Sequence, residues 1–293
     1  MTRILAAAAL AAVCVTGLGR GARAEGDGSI IAYGRENNSG TYVYFKEHVL
    51  GNEDFSEEVQ SLPGTAAVIN AVSKDPNGIG YGGIGYVKGV KALKVKKDAS
   101  SPAVEPTLEN VVSGAYPISR SLYLYTAGAP DASTKAFIDW TTSEEGQKVC
   151  EVVNYYPIPK DKWTVAPSSP GKATITLKGS DTMVIIGQRW AEVYMKAHPE
   201  VVIQVTGGGS GTGIAALING TTTICMASRA MKDKERAQLK EKQAKDAVEF
   251  AVALDGIAIF VNESNAIAEV SLEELKAIFT GKTTEWTDLG PAR

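Results

Sequence analysis

The stretch VVIQVTGGGSGTGIAALIN, residues 201–219, decides the fold class. Val201–Val205 has the alternation of a half-buried strand, and Gly211–Asn219 reads as a short helix. Between them, Gly207-Gly208-Gly209-Ser210-Gly211-Thr212-Gly213 sets glycines and small hydroxyls where the strand ends and the helix begins. At that point the first backbone N–H groups lack partners, and the helix dipole favours negative charge. Glycine lets the backbone come close to a ligand, and Ser and Thr add hydroxyl donors. Strand, Gly-rich turn and helix together make a unit of α/β architecture.

The same design occurs twice more. Gly179-Ser180-Asp181-Thr182 follows the strand candidate Thr174–Leu177 and opens a helix expected over Thr182–His198. Arg35-Glu36-Asn37-Asn38-Ser39-Gly40-Thr41 follows a strand at Ser29–Tyr33 and opens a helix at Thr41–Leu50. A Ser or Thr at one helix start is usually only an N-cap. Three such segments in one chain, one of them beside Arg35, point to an oxyanion site. The Arg35 guanidinium is a planar fork suited to a tetrahedral anion. A nucleotide P-loop is excluded because no G-x-x-x-x-G-K-[ST] occurs. A serine hydrolase lacks its G-x-S-x-G elbow, and neither histidine is placed as a base: His48 lies on a polar helix face, and His198 ends a helix before Pro199.

Outward from these segments the α/β alternation continues. Gly78–Tyr86, Leu122–Thr126 and Ala251–Val261 read as strands, and Ser133–Trp140 and Ser143–Val153 as helices. On the helix after Thr182, Met183, Ile186, Trp190, Val193 and Tyr194 form the apolar stripe. Lys232–Asp246 is almost all charged and reads as a solvated helix face. Ser271 and Glu274 form a capping box for a helix ending near Gly281. Trp163–Lys172 (WTVAPSSPGK) reads as a linker or surface loop.

Composition sets the outer limits. The 293 residues are 44% hydrophobic and 22% charged, which is globular rather than disordered. Residues 1–24, with Arg3, an apolar run over Ile4–Leu18 and Ala22-Arg23-Ala24, read as a signal peptide cut after Ala24. Its removal takes three arginines and no acids, so the net charge moves from −3 to −6. That charge argues against a nucleic-acid partner, and it means that any anion must be held by local geometry. Two histidines and three cysteines leave little for a metal site, and no cofactor is expected. Cys150 and Cys225 remain after cleavage, as one disulfide or as two separate buried thiols.

Taken together, GSDTM, TGGGSGTGIAALINGT, MASR, ALDGIAIFVN and GRENNSGTY resemble the periplasmic phosphate-binding proteins of ABC-type phosphate transporters. The resemblance covers residues 28–160 and 173–290. It implies a type II periplasmic-binding fold, two α/β lobes joined by crossover strands with the ligand clamped between them. It also implies an ABC transporter permease as partner and a monomer. In the family the GSDT and GGGSGTG segments precede the RxxxSGT segment, whereas here they follow it. The chain therefore reads as a circular permutant, with its new ends between Thr287–Leu289 and Gly28–Ser29. One lobe is then expected to combine residues 28–118 with 254–293, and the other to run from 119 to 253.

Carried over residue by residue, the resemblance implies ligand contacts from Thr182 and Met183, from Ser210, Gly211 and Thr212, and from Arg35, Ser39, Gly40 and Thr41. Ser180 is a further candidate. The family's acceptor for the phosphate proton, an Asp in the strand after the GGGSGTG helix, matches Thr223 here. Asp181 and Asp255 are candidates to replace it, with turn or scaffold roles as the alternative. Arg229 is a candidate second cation, against an ordinary salt bridge to a nearby acid.

The expected function is a periplasmic or secreted solute-binding protein for inorganic phosphate, not an enzyme, since no nucleophile–base pair is visible. A broader, sulfate-like oxyanion binder is the first alternative. A sensory or scaffold module without ligand is the second, and a surface phosphatase is a distant third.

Overall fold

The computed structural model describes residues 28–165 and 171–290. The signal-peptide reading of residues 1–24 lies outside these residues, as does the middle of the 163–172 linker.

The chain enters through β1 (Ile31–Arg35), α1 (Gly40–His48), β2 (Gln60–Leu62), α2 (Gly64–Lys74) and β3 (Gly78–Gly83). Strands β4 (Lys91–Ala92) and β5 (Lys94–Lys96) and helix α3 (Leu108–Val112) lead to β6 (Ser119–Ala127). Two antiparallel-side helices, α4 (Ala132–Thr141) and α5 (Glu144–Val152), follow. A second wound unit is β7 (Ala173–Gly179), α6 (Val184–Ala197), β8 (Val201–Thr206), α7 (Ser210–Ile218) and β9 (Ile224–Ala227). Helix α8 (Asp233–Gln243), the long strand β10 (Ala247–Val261), β11 (Glu269–Ser271) and α9 (Leu272–Phe279) complete it. The capping box at Ser271 and Glu274 forms as expected, and the charged segment is helix α8, with Leu239 as its buried residue.

The strand order is β2-β1-β3-β10-β6-β9-β7-β8. It contains two copies of one winding. In the first, β1 lies between β2 and β3, all parallel; in the second, β7 lies between β8 and β9, again parallel. Helices leave the two sides of each middle strand, so the chain direction switches at its C-terminal end. That is where open α/β sheets bind ligands. Arg35 ends β1, and Gly179 ends β7, with Ser180 directly after it.

The two copies are joined through β10 and β6. The first part of β10 pairs antiparallel with β6, and Ile257–Val261 pairs antiparallel with β3. Hydrophobic burial separates accordingly. One core draws on Phe45, Leu50, Tyr81, Ile118, Ile259 and Phe279. Another draws on Leu122, Phe137, Trp190, Ile203, Met226 and Val252. Met183, Ile186, Trp190 and Tyr194 are fully buried there, as the apolar stripe predicts.

Cys150 and Cys225 are both buried free thiols, one on α5 and one on β9. Burial pushes both well above the ordinary thiol pKa. Among the described residues, no helix is long and apolar enough to cross a membrane.

Candidate functional site

Four helix starts converge where the two switch points face each other. Ser39 caps α1, its hydroxyl accepting from the Thr41 and Tyr42 N–H groups. Ser210 is the first residue of α7 and is fully buried, with its Oγ accepting from Ser228 N at 3.1 Å. Thr65 lies in the first turn of α2, and Asp181–Met183 forms a 3-10 turn leading into α6. Gly209, before α7, has φ +89°, and a Cβ there would sit 2.7 Å from Asn38 O. Glycine is therefore required by both conformation and space.

Arg35 is the cation of the first unit, only 1% exposed. Its Nη1 donates to Thr65 Oγ1 at 2.8 Å, and its Nη2 donates to Asp181 Oδ2 at 2.8 Å. Asp181 belongs to the second unit, so this ion pair spans the two. Burial pulls the Arg35 pKa below its ordinary value, and the Asp181 charge opposes that shift. Thr41 Oγ1 and Thr182 Oγ1 share a hydrogen bond of 2.8 Å, also across the two units. The Ser180 hydroxyl donates to Ser228 Oγ at 2.9 Å, and Ser228 and Ser210 hydroxyls are 3.3 Å apart.

A second arginine enters from the strand that joins the units. Arg120, at the start of β6, is 5% exposed. Its Nε and Nη2 both donate to Asp255 Oδ2, at 3.0 and 2.8 Å. Nη2 also reaches Thr41 Oγ1 at 2.9 Å and Thr182 Oγ1 at 3.4 Å. Asp255 is fully buried on β10, and its Oδ1 accepts from Ile84 N. Burial raises its pKa above the ordinary carboxylate value, and Arg120 pulls it back.

Donors outnumber acceptors here. Arg35 Nε and Arg120 Nη1 are buried without a hydrogen-bond partner. The bond between Thr41 and Thr182 uses one hydroxyl proton and leaves the other. Buried N–H groups on charged side chains are costly to leave unmet. The arrangement is chemically suited to a small acceptor-rich anion. Among the described residues, no group of His, Cys, Asp or Glu could hold a metal ion.

A family model described as a PBP superfamily domain matches residues 22–145 and 164–293. The chain belongs to the PBP superfamily. The phosphate-binding protein PstS 2 of Streptococcus agalactiae is 34% identical over 275 residues, spanning 89% of this chain and 88% of the relative. The phosphate-binding protein PstS 2 of Streptococcus pneumoniae is 32% identical over 269 residues, 88% of this chain and 87% of the relative. A solved phosphate ABC transporter phosphate-binding protein from Streptococcus pneumoniae shares 30% identity. It aligns with a TM-score of 0.67, over 89% of this chain and 99% of that one. The fold is that of the periplasmic binding proteins.

Within this PBP-superfamily fold the candidate residues do not all meet. Arg35, Ser39, Gly40, Thr41, Ser180, Asp181, Thr182 and Ser210 lie in or beside the cluster. Met183 is nearby, but its N–H donates to Ser180 O and its side chain is in the second core. Gly211 N donates to Asn38 O at 2.9 Å, and Thr212 Oγ1 accepts from Asn38 Nδ2 at 3.3 Å. Those two residues hold the opposite unit rather than facing the arginines. Asp181 spends Oδ1 on Gly208 N and Oδ2 on Arg35, and Asp255 holds Arg120 and Ile84 N, so both carboxylates brace the site.

Thr223 is a correction. It precedes β9, at the end of the strand away from Ser228, and its hydroxyl and N–H bond with Thr176. The position that the resemblance assigned to the acceptor therefore lies away from the serine and arginine cluster. The serines of the cluster, Ser180 and Ser228, instead follow the C-terminal ends of the parallel strands β7 and β9. Arg229 pairs with Glu235 through two guanidinium nitrogens, at 2.7 and 2.8 Å. It also lines a cavity of about 550 Å³ with Tyr44, His48, Arg120 and Tyr123.

Sequence reasoning missed Thr65, Arg120, Ser228 and Asn38. Two signals were present. Gly64-Thr65 precedes Val68, Ile69 and Val72, a helical spacing of buried residues. Ser228 directly follows the apolar run Ile224–Ala227, where a parallel strand ends. Arg120 gives no local signal, because its partners Asp255, Thr41 and Thr182 are all distant in sequence.

Proposed function

We propose that this protein is an extracytoplasmic solute-binding protein that clamps inorganic phosphate between its two lobes and presents it to an ABC transporter permease. The observation that carries this reading is the donor surplus between the lobes. Two buried arginines, four helix starts and the cross-lobe threonine pair face one small region. The names of the relatives point to the same ligand. The lobes are taken as residues 28–118 with 254–293 and residues 119–253, and Arg35, Ser39, Thr41, Thr182 and Ser210 as the contact residues. Among the described residues no nucleophile–base pair accompanies them, which favours binding over turnover. The segment 1–24 would deliver the chain across the membrane.

Isothermal titration with phosphate and with sulfate at fixed ionic strength tests this. Saturable phosphate binding, with an upward shift in melting temperature by mass action, is expected. Stronger sulfate binding would favour the broader oxyanion reading. Absence of binding to either anion would leave only a scaffold role.

We infer further that the chain order is circularly permuted. The two ends of the described chain support this by lying side by side. Ser29 bridges to Glu285, Ile30 N donates to Thr284 O at 2.7 Å, and Trp286 N donates to Gly28 O at 2.8 Å. Permutation is tolerated where ends are close and a cut falls in an exposed loop. A rearranged chain, opened between residues 160 and 173 with residue 290 joined to 28 by a short linker, is expected to fold and bind phosphate. A rearranged chain that stays unfolded would count against the inference.

A further inference from the structure

Arg120 has features that a simple hinge brace does not need. It lies at residue 120, where β6 starts, opposite Asp255 in the β6–β10 register. Both strands join the two units, so this pair sits on the connection itself. One guanidinium nitrogen then reaches the threonine hydroxyls of both units, Thr41 and Thr182. The Arg120 Cζ lies 5.6 Å from the Tyr44 ring centroid, so its face is covered by an aromatic from α1. Asp255 occupies Nε and Nη2, which leaves Nη1 buried and unpartnered. A buried cationic N–H of this kind calls for an acceptor, which a ligand oxygen or an ordered water can supply.

We propose that Arg120 is a second anion-coordinating arginine, with Nη1 on the ligand, and that it ties ligand occupancy to the connecting strands through Asp255. The assignment rests on the phosphate reading above. Arg35 and Arg120 then approach the anion from different units, one held by Asp181 and the other by Asp255. Each carboxylate sits behind its arginine and fixes the fork. The threonine pair between them bridges the two units.

The test uses the full mature chain and inorganic phosphate, by titration and by melting with and without ligand. Arg120→Gln is expected to weaken phosphate binding at least tenfold. Asp255→Asn keeps the Arg120 cation and loses only the carboxylate that fixes its fork, so it is expected to weaken binding clearly less than Arg120→Gln does. Its phosphate-induced melting shift should therefore stay larger than that of Arg120→Gln. The double variant Arg120→Gln/Asp255→Asn replaces the ion pair by neutral groups of similar shape, avoiding a stranded buried charge. It should fold and bind at least tenfold more weakly. If Arg120→Gln or the double variant binds phosphate like the parent, the assignment fails. Equal weakening by Arg120→Gln and Asp255→Asn would also overturn it, since that is the signature of a brace. A parent that binds no oxyanion would overturn the phosphate reading, and this assignment with it.

Discussion

Arg35→Ala is expected to bind phosphate at least tenfold more weakly than the parent protein. A hydrogen bond to a charged group contributes about 1.5–3 kcal/mol, and about 1.4 kcal/mol is a factor of ten. Arg35 offers an unpartnered Nε, and its other two nitrogens fix Thr65 and Asp181. The alanine variant loses the cation and also releases Asp181, whose charge then faces the cleft without its partner. Both effects oppose an anion. Arg35→Lys recovers only part of the loss, because a point charge cannot hold Thr65, Asp181 and a ligand in one plane. Isothermal titration well below the melting temperature separates binding from stability. An unchanged dissociation constant for Arg35→Ala would remove this residue from the site.

Gly40→Ala should abolish tight binding while leaving the fold as stable as before, or more so. Gly40 is the first residue of α1 and has an ordinary negative φ, so alanine is compatible with its backbone. At such a position alanine adds about 0.4–1 kcal/mol, mainly by restricting the unfolded chain. Its Cβ, however, would press on Ser210 Oγ and come within 2.7 Å of Ser228 Oγ. Both serines belong to the other unit, so the clash exists only when the units are closed. The variant is therefore expected to stay open. Small-angle scattering would show no contraction on adding phosphate, and titration would show a loss of more than tenfold. A variant that contracts and binds like the parent would mean that closure does not bring Gly40 against the two serines.

These expectations differ in how far they could be read from the chain alone. The three helix starts were legible because each is a local event. A strand end, a glycine and a hydroxyl within a few residues leave N–H groups unmet whatever the rest of the chain does. The apolar stripe of α6 was legible for the same reason: Met183, Ile186, Trp190 and Tyr194 recur with the helix period. Thr223 shows where such reading fails. Sequence placed it in a strand near the right helix, but it could not say which end of that strand meets the serine cluster.

The sequence by itself determined the α/β class, the anion-prone helix starts and Arg35 as a candidate cation. Tertiary structure decided which of these meet. Arg35 and Asp181 are 146 residues apart, and Arg120 and Asp255 are 135 apart. No periodicity or capping rule connects such pairs. They form because two copies of the same winding share β6 and β10, which brings the C-terminal ends of β1 and β7 face to face. Local propensity acts over a turn or two of chain, whereas the partner of a buried charge is set by which sheets pack against each other.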